Sequence, residues 1–414
     1  MINSRMSGVI NADNLQSSII GQPSSKRGTA ELVKTTLFKK EPDGVTYRIP
    51  SLLYLPERHT YLAFAEKRTS PSDSDAKILV IRRGTITKDG AIQWSPCEEL
   101  STAQLPDHRT MNPCPVYDRK TQTVTLFFIC VRSNVTECRQ ILTGRNQTRL
   151  CRVTSRDHGA TWGPTADLTD SAIGDAVGRW ATFGVGPGHG VQLAAGRLVV
   201  PAYAYYERVR CLCLWPVPLT VKPRALAVYS DDAGLTWRAG ALLGAASCEC
   251  EMAEVVDGEG VAQLYCNARH SGGVRVEALS RDGGGRFEKP RRAEQLVEPR
   301  KGCQGSVVGF PAPEPPTGGG SEGAGRTRTW LAFSHPTHGE SRLNLGVYLN
   351  RAPLSRSGWD PPMVIHRGPS GYSDLAYSQE DQRFSCLLEC GEKSELEQIA
   401  FMSFTLDEIR QTAG

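Results

Sequence analysis

Short apolar segments fill the chain from about residue 45 to residue 405. Each is rich in β-branched and aromatic residues and ends at Gly, Pro, Asn or Asp, which is typical of strands separated by turns. Examples are YRIPSLLYL at 47–55, TVTLFFICV at 123–131 and QIAFMSFTL at 398–406. No convincing amphipathic helix interrupts them, apart from a last turn near Asp407–Gln411. Many short strands without crossover helices predict an all-β sandwich, barrel or propeller.

An internal repeat favours the propeller. The pattern Ser-x-Asp-x-Gly-x-Thr-Trp occurs at 155–162 and again at 230–237, and a weaker copy covers 280–287. In such a turn the Asp accepts backbone N–H groups, the Gly adopts a positive φ, and the aromatic ring packs under the sheet. We interpret these segments as Asp boxes, which build blades and lie away from the chemistry. Their spacing is consistent with blade-sized repeats that carry insertions.

The composition changes at two places along the chain. Residues 1–40 are polar, lack periodicity and predict a flexible N-terminal tail. Residues 311–327 combine a Pro-rich segment with a Gly/Ser run, which predicts a disordered insertion between strands. Residues 41–410 are expected to form one β-propeller domain, because a closed all-β fold can hold this many residues around one axis.

Charge and cysteine usage narrow the choice of partners. The formal net charge is +4, which suits an anionic substrate or an anionic membrane face but not nucleic acid. No apolar run reaches the ~20 residues of a membrane span, and we predict no secretory signal. The 13 cysteines are scattered, as expected for reduced and mostly buried thiols. The two Cys-x-Cys pairs and the eight histidines lack zinc-ligand spacing, so no metal and no cofactor is predicted.

Candidate chemistry comes from scattered segments. They are Tyr47-Arg48-Ile49-Pro50, 64–68 followed by Asp73, 111–115, 200–205, 248–254, 341–346 and 371–375. These segments resemble the vertebrate sialidases, and the resemblance covers nearly the whole chain after the tail. It implies a six-bladed β-propeller and an exo-glycosidase that removes terminal α-linked sialic acid with retention. Sialidases are exceptional among glycosidases in using a tyrosine nucleophile.

The resemblance implies that the sugar carboxylate is held by three arginines, Arg48, Arg269 and Arg342. Planar and permanently charged guanidinium groups suit an ionised carboxylate. Tyr372 is implied as the nucleophile, since the substrate's own carboxylate would repel a carboxylate nucleophile. Glu249 is implied as its general base, and Glu251 and Glu254 are competing choices in the same segment.

Asp73 is implied as the group that protonates the leaving oxygen and then activates water, with Asp75 as a nearby rival. Glu389 would orient Arg48. The other implied contacts surround the sugar: Arg68 at O4 and the carboxylate side, Glu66 in the pocket wall, Met111 and Asn112 at the ring and its N-acetyl group, and Tyr203 and Tyr205 at the glycerol and N-acetyl pockets.

Within the family, segments such as 302–308 and 397–401 look closest to the plasma-membrane branch that prefers gangliosides. Sialylated glycolipids are therefore the predicted partners, with peripheral attachment to the plasma membrane. A cytoplasmic location or an endosomal membrane is the alternative. The apolar, arginine-flanked loop at 208–219 favours docking on a bilayer, where Cys211 and Cys213 could be acylated. A buried strand pair with its turn would explain this loop equally well.

Two other functions fit part of the pattern. One is a soluble cytosolic sialidase that acts on oligosaccharides and glycoproteins. The other is a non-catalytic propeller that binds glycans, because Asp boxes alone do not establish catalysis. Tyr372, Glu249 and Asp73 favour an enzyme, since a lectin has no need for them.

Overall fold

Antiparallel β-sheet accounts for nearly all of the regular structure, in a computed structural model that describes residues 32–207, 221–313, 328–355 and 358–411. The strands assemble into five sheets. The all-β prediction is confirmed. Residues 1–31 of the expected tail, residues 208–219 of the expected docking loop and residues 314–327 of the expected insertion lie outside the described residues.

The first four sheets follow one another along the chain. The first contains β2 (Thr46–Leu55), β3 (Thr60–Arg68), β4 (Ala76–Ile86), β5 (Ile92–Trp94) and β6 (Glu98–Glu99), and a first short strand, β1 (Thr35–Lys39), precedes it. The second contains β7 (His108–Asp118), β8 (Thr123–Arg132), β9 (Thr148–Ser155) and β10 (Ala166–Asp167). The third contains β11 (Trp180–Val185), β12 (Val191–Gln192), β13 (Leu198–Glu207), β14 (Val221–Ser230) and β15 (Arg238–Ala239). The fourth contains β16 (Cys250–Val256), β17 (Ala262–Ala268), β18 (Val274–Ser280) and β19 (Arg291–Val297).

The fifth sheet has seven strands. It contains β20 (Ser306–Pro311), β21 (Thr329–Pro336), β22 (Leu343–Asn350), β23 (Met363–Ser378), β24 (Arg383–Cys390), β25 (Gln398–Thr405) and β1. Strand β23 is 16 residues long and pairs with β22 by its first part and with β24 by its second. Because this strand is continuous, the described residues form five sheets and not the six separate ones that we expect from the sequence.

Strand β1 lies within the expected tail of residues 1–40. Its side chains Leu37 and Phe38 are both only 2% exposed, and its backbone pairs with β25. The apolar pair supplies the burial that orders the backbone, so strand structure begins before the predicted boundary at residue 41.

Helices are few and short. They are α1 (Glu137–Thr143), α2 (Leu406–Gln411), the 3₁₀-helices Pro56–Arg58, Asp73–Asp75 and Gly174–Arg179, and the π-helix Thr169–Ile173. The predicted last turn is confirmed by α2. Helix α1 is not predicted, although Thr136 caps its first turn by accepting the Arg139 N–H at 3.1 Å. Within the described ranges no helix is long and apolar enough to cross a bilayer.

Buried apolar clusters join each sheet to the next and close a circuit. Strand β8 illustrates the result, because its interior is buried on both faces. Phe64 and Phe128 pack between the first and second sheets, and Phe127 and Val200 pack between the second and third. Val199 and Leu264 pack between the third and fourth sheets, and Tyr265 and Phe333 pack between the fourth and fifth. Phe401 and Tyr61 pack between the fifth and first sheets. A further cluster lies inside the fifth sheet, between Phe310 and Phe384. The arrangement is propeller-like.

The repeated Ser-x-Asp-x-Gly turns have matching hydrogen bonds. In the first copy, Ser155 Oγ donates to Asp157 Oδ1 at 2.8 Å and accepts the Gly159 N–H at 2.8 Å. The Thr161 N–H donates to the same Asp157 oxygen at 2.9 Å, and Gly159 has a φ of 83°. Equivalent bonds recur in the other two copies, at Ser230, Asp232 and Gly234 and at Ser280, Asp282 and Gly284.

Candidate active site

A cavity of about 940 Å³ is lined by strand residues of the first, second, third and fifth sheets and by segments next to the ends of β16, β17 and β19 of the fourth. Such a volume is near the upper end of the range for small-molecule pockets. The predicted site residues in its wall are Arg48, Arg68, Asp73, Met111, Asn112, Tyr203, Tyr205, Glu249, Arg269, Arg342 and Tyr372. Only the predicted residues Glu66 and Glu389 lie behind the wall, at 0% and 1% exposure.

Three arginines from distant parts of the chain surround the ring of Tyr372. The Cζ atoms of Arg48 and Arg342 lie 5.5 and 5.1 Å from the ring centroid, which is cation–π range. The Nη1 atom of Arg269 donates to the Tyr372 hydroxyl at 3.0 Å. Arg342 is held by the carbonyl of Gly302, which accepts from its Nη2 at 3.0 Å. The three guanidinium groups are therefore close enough to receive one anionic group together.

The Tyr372 hydroxyl donates to Glu249 Oε1 at 2.5 Å. Glu249 Oε2 accepts from Arg269 Nη1 at 2.7 Å, because the two residues face each other where the β16–β17 pairing continues past the strand ends. Burial raises the pKa of Tyr372 far above its usual value, and the charge of Glu249 adds to this effect although Arg269 and Arg342 oppose it. The resting phenol is therefore protonated and needs a base, and Glu249 is in hydrogen-bond contact with it.

Irregular pairing turns the site residues towards the cavity. The register shifts in β2 at 48–51, in β7 at 111–114 and in β23 at 370–373. Ile49 and Asn112 have φ values of 60° and 57°, which non-glycine residues rarely adopt and β-branched ones hardly at all. Such bulges re-aim side chains next to functional sites.

Two buried glutamates stabilise these bulges. Glu389 accepts from Arg48 Nε at 2.8 Å, from the Ile49 N–H at 2.9 Å and from the Tyr372 N–H at 3.0 Å. Burial favours protonation of Glu389, but Arg48 and these N–H donors outweigh it and hold its pKa below the usual value. Glu66 has the matching arrangement, since it accepts from Arg68 Nη2 at 2.6 Å and from the Asn112 N–H at 2.7 Å. The expectation that Glu66 lines the pocket is therefore wrong, because both of its oxygens are occupied behind the wall.

Asp73 lies at the mouth of the cavity. Its side chain is 73% exposed, and its Oδ1 accepts from Arg68 Nη1 at 2.6 Å. The rival Asp75 does not line the cavity, since its Oδ2 accepts from Ser70 Oγ at 2.5 Å inside the loop. Of the two carboxylates, Asp73 is the one that an incoming ligand would meet.

The remaining predicted contacts form one side of the cavity. Asn112 Nδ2 donates to the Val185 carbonyl at 3.1 Å and lies 3.5 Å from the Tyr203 hydroxyl. The rings of Tyr203 and Tyr205 are 6.2 Å apart in an edge-on arrangement. Met111 is 9% exposed in the same wall. This side offers aromatic and apolar surface beside the polar arginines, which suits a sugar with both kinds of face.

The two competing glutamates lie elsewhere. Glu254 accepts the Ala194 N–H at 2.8 Å and lines a different cavity. Glu251 is fully buried beside His189 and Asp374, and its Oε2 accepts from Ser306 Oγ at 2.8 Å. Neither is in the wall next to Tyr372, so Glu249 alone among the three meets the phenol.

The His189 cluster consists of His189, Glu251, Asp374 and Ser306. Its potential ligand atoms on the first three residues lie within 4.8 Å of one another, which is close enough for a metal ion. His189 Nδ1 is nevertheless 2.7 Å from Asp374 Oδ1. Burial disfavours the charged imidazolium, but Glu251 and Asp374 outweigh that effect and raise the pKa of His189 to about 9. His189 is therefore protonated at neutral pH and forms a buried ion pair with Asp374, while burial and the charge of Asp374 raise the pKa of Glu251.

Glu137, on α1, is a wall residue that sequence analysis missed. Its side chain is exposed to the cavity, but the surrounding protein removes part of its hydration. This effect and the negative charges of Glu249 and Asp73 raise the pKa of Glu137 to about 7, although Arg269 opposes them. It therefore gains negative charge near neutral pH, and an anionic ligand is held less strongly above that pH. No motif pointed to this residue, because it lies on a seven-residue helix between two strands.

The comparison with known proteins agrees with this geometry. Sialidase-3 of Mus musculus is 50% identical over 402 residues, which cover 91% of this chain and 95% of that protein. The chain belongs to the sialidase family. A second member of the sialidase family, Sialidase-3 of Homo sapiens, is 48% identical over 397 residues, which cover 90% of this chain and 92% of that protein. The predicted resemblance is confirmed.

More distant likeness within the sialidase family concerns the fold alone. The model of a BNR repeat-like domain matches residues 60–384. The structure of Hadza microbial sialidase Hz136 aligns with a TM-score of 0.70 at 22% identity, covering 88% of this chain and 66% of that one. The propeller-like circuit of sheets is thus shared far beyond the range of close sequence similarity.

Proposed function

We propose that the protein is an exo-α-sialidase that hydrolyses terminal sialic acid with retention. The observation that carries the proposal is the 2.5 Å hydrogen bond from Tyr372 to Glu249 inside a set of three arginines. A binding protein gains nothing from a phenol paired with a buried base. Relatives at 48–50% identity named Sialidase-3 support the same reaction class.

Binding would begin with the sugar's carboxylate. Arg48, Arg269 and Arg342 would receive it through charge-assisted hydrogen bonds, which places the anomeric carbon over the Tyr372 hydroxyl. Arg68 would contact O4 and the carboxylate side, while Met111 and Asn112 would face the ring and the N-acetyl group. Tyr203 and Tyr205 would border the glycerol and N-acetyl pockets. Glu66 and Glu389 would act from behind by fixing Arg68 and Arg48.

The reaction would then proceed in two displacements. In the first, the Tyr372 oxygen bonds to the anomeric carbon and its proton passes to Glu249, while Asp73 gives a proton to the departing glycosidic oxygen. In the second, Asp73 removes a proton from water, the water oxygen bonds to the anomeric carbon, and Glu249 returns the proton to the leaving phenolate. Two inversions give net retention, and both carboxylates end as they began.

Asp73→Asn is the test of this function. Turnover of a natural sialyl-oligosaccharide should fall by about 10²- to 10⁴-fold, because its alkoxide leaving group needs the proton. Turnover of an aryl sialoside with an acidic phenol should fall far less in the first step. Asp75→Asn, at a carboxylate outside the cavity, is the matched control and should keep near-normal rates with both substrates. Release of sialic acid is measured for each pair, and equal losses on both substrates would remove Asp73 from the acid role.

At the level of architecture, we propose six blades that carry Asp boxes. The seven-stranded sheet would supply two of them, which share the long strand β23, and the apolar cluster between Phe310 and Phe384 would be their interface. The supporting argument is that six apolar clusters, including this one, complete the circuit. We also propose that residues 41–410 are the catalytic domain, with β1 (Thr35–Lys39) as an additional strand at its start, preceded by a tail and interrupted by an insertion at about 311–327.

We further propose that the substrates include gangliosides and that the protein associates peripherally with the plasma membrane. Residues 208–219 lie between β13 and β14 in the sequence, and Tyr205 and Lys222 on these two strands line the cavity. An apolar and arginine-flanked loop at that place would bring the cavity mouth to the bilayer that carries the glycolipid. The mild net positive charge of +4 suits the anionic inner face of a membrane.

Polar replacement of Leu212, Leu214 and Trp215 tests this attachment. The fraction that sediments with vesicles containing anionic lipid should fall by several-fold, because the loss of apolar contact area weakens insertion. Turnover of a soluble sialyl-oligosaccharide should remain normal. Unchanged sedimentation would show that the loop is not the attachment site.

A further inference from the structure

Part of the cavity wall carries positive charges that the proposed reaction does not use. Lys222, Arg300 and Lys301 line the cavity and are exposed. None of the three side chains has an acidic partner among the described residues, in contrast to Arg48, Arg68 and Arg269. Exposed cations without partners inside a concave site raise the local concentration of anions. We call Lys222, His270, Arg300 and Lys301 the basic arc.

Backbone and side-chain hydrogen bonds connect the basic arc along one side of the mouth. The Ser247 N–H donates to the Pro223 carbonyl at 2.9 Å, next to Lys222. The adjacent Ala246 carbonyl lies 2.9 Å from His270 Nδ1. His270 follows Arg269, whose Nη2 donates to the Lys301 carbonyl at 2.5 Å. The arc is therefore one continuous rim on segments that already position the catalytic groups.

Acidic groups also line the cavity. Asp73 and Glu137 are both exposed in its wall. Asp73 is paired with Arg68 at 2.6 Å, whereas the three cations of the arc have no acidic partner among the described residues. A leaving group with its own negative charge would therefore be attracted by the arc, and a neutral one would not.

We propose that the basic arc is a subsite for a second carboxylate, carried by an acidic sugar next to the one that is cleaved. This proposal rests on the proposed sialidase function and specifies its substrate class as oligosaccharides with two adjacent acidic sugars. The terminal sugar occupies the arginines around Tyr372, and the inner sugar places its carboxylate against Arg300 and Lys301. The cavity of about 940 Å³ has room beyond one monosaccharide for this second unit.

The experiment compares soluble disialyl-lactose, in which one sialic acid is linked to the next, with monosialyl-lactose. The variant Arg300→Gln/Lys301→Gln should lower kcat/KM for the disialyl substrate by about 5- to 10-fold, through KM and with kcat nearly unchanged. The monosialyl value should change by less than about 2-fold, since its aglycone is neutral. The control Arg286→Gln/Lys289→Gln removes the same charge at exposed positions outside the cavity, and both substrates should behave normally.

A disialyl substrate whose inner carboxylate is reduced to an alcohol completes the design. Its kcat/KM should be the same with the wild type and with the Arg300→Gln/Lys301→Gln variant. The wild-type preference for the disialyl substrate with an intact inner carboxylate should decrease as the salt concentration is raised. Equal losses on mono- and disialyl substrates, or none on either, would overturn the subsite. A loss seen only on anionic vesicles, whatever the number of acidic sugars, would instead assign the arc to lipid phosphates and also overturn it. If the wild type releases no sialic acid from monosialyl-lactose, the proposed function itself has failed.

Discussion

Replacing Tyr372 with phenylalanine is expected to lower kcat by at least about 10³-fold, which corresponds to about 4 kcal/mol of transition-state stabilisation. The variant loses the phenol oxygen that donates to Glu249 and that Glu249 would deprotonate. It keeps the ring that packs between Arg48 and Arg342, because both contacts are to the ring face. Binding of sialic acid should therefore stay within a few-fold of normal, measured by calorimetry with the free sugar.

Tyr348→Phe is the matched control for this substitution. Tyr348 is also buried, at 1% exposure, but it lies on β22 outside the cavity wall and its hydroxyl has no hydrogen-bond partner among the described residues. Its removal should leave turnover unchanged. Near-normal turnover by the Tyr372 variant would exclude the phenol as nucleophile, and a matched loss of sialic acid binding would indicate a role in positioning alone.

His189→Gln is expected to lower the free energy of unfolding by about 3–5 kcal/mol near pH 7, the usual cost of removing one partner of a buried ion pair. The substitution leaves Glu251 and Asp374 facing each other at 0% side-chain exposure. Those carboxylates connect several sheets, since Asp374 on β23 accepts the Leu52 N–H of β2 at 2.6 Å. Denaturant titration measures the loss. Adding Glu251→Gln removes the repulsion between the two carboxylates. The loss of unfolding free energy in the double variant should therefore be smaller than the sum of the losses in the two single variants.

The same variant should change the pH dependence of stability. The pKa of His189 is raised to about 9 in the folded protein and is about 6.5 in an unfolded chain. Its contribution is therefore complete below about pH 6.5 and is lost as the pH rises through about 9. Wild-type stability should decline over this interval, while His189→Gln should lack that component. A variant with wild-type stability at pH 7 and the same decline would contradict the role of this ion pair.

Local features could be predicted from the sequence because their causes are local. In the first Ser-x-Asp-x-Gly turn, the hydrogen bonds among Ser155, Asp157, Gly159 and Thr161 join residues at most four positions apart, so the pattern at 155–161 is enough to indicate the turn. Strand positions followed for the same reason, from runs of apolar and β-branched residues. Strand β1 escaped because only Leu37 and Phe38 mark it within a polar stretch.

The site could not be predicted in the same way. Arg48, Arg269 and Arg342 are distant in the chain, and no spacing rule brings them to Tyr372; only the family resemblance grouped them. Glu66 was misplaced because the sequence does not reveal that a neighbouring strand presents the Asn112 N–H to it. The division into five sheets depends on whether β23 forms one continuous strand, and this is decided by its pairing with β22 and with β24.

The pairing of β1 with β25 determines when the molecule can be completed on the ribosome. Thr35 is synthesised long before its partner Phe401. The apolar side chains of β1 and of the first sheet that pack against β25 therefore stay uncovered until β25 has been made. Transiently exposed apolar surface of this kind is prone to aggregation, so we expect this junction to be a vulnerable point of the folding chain.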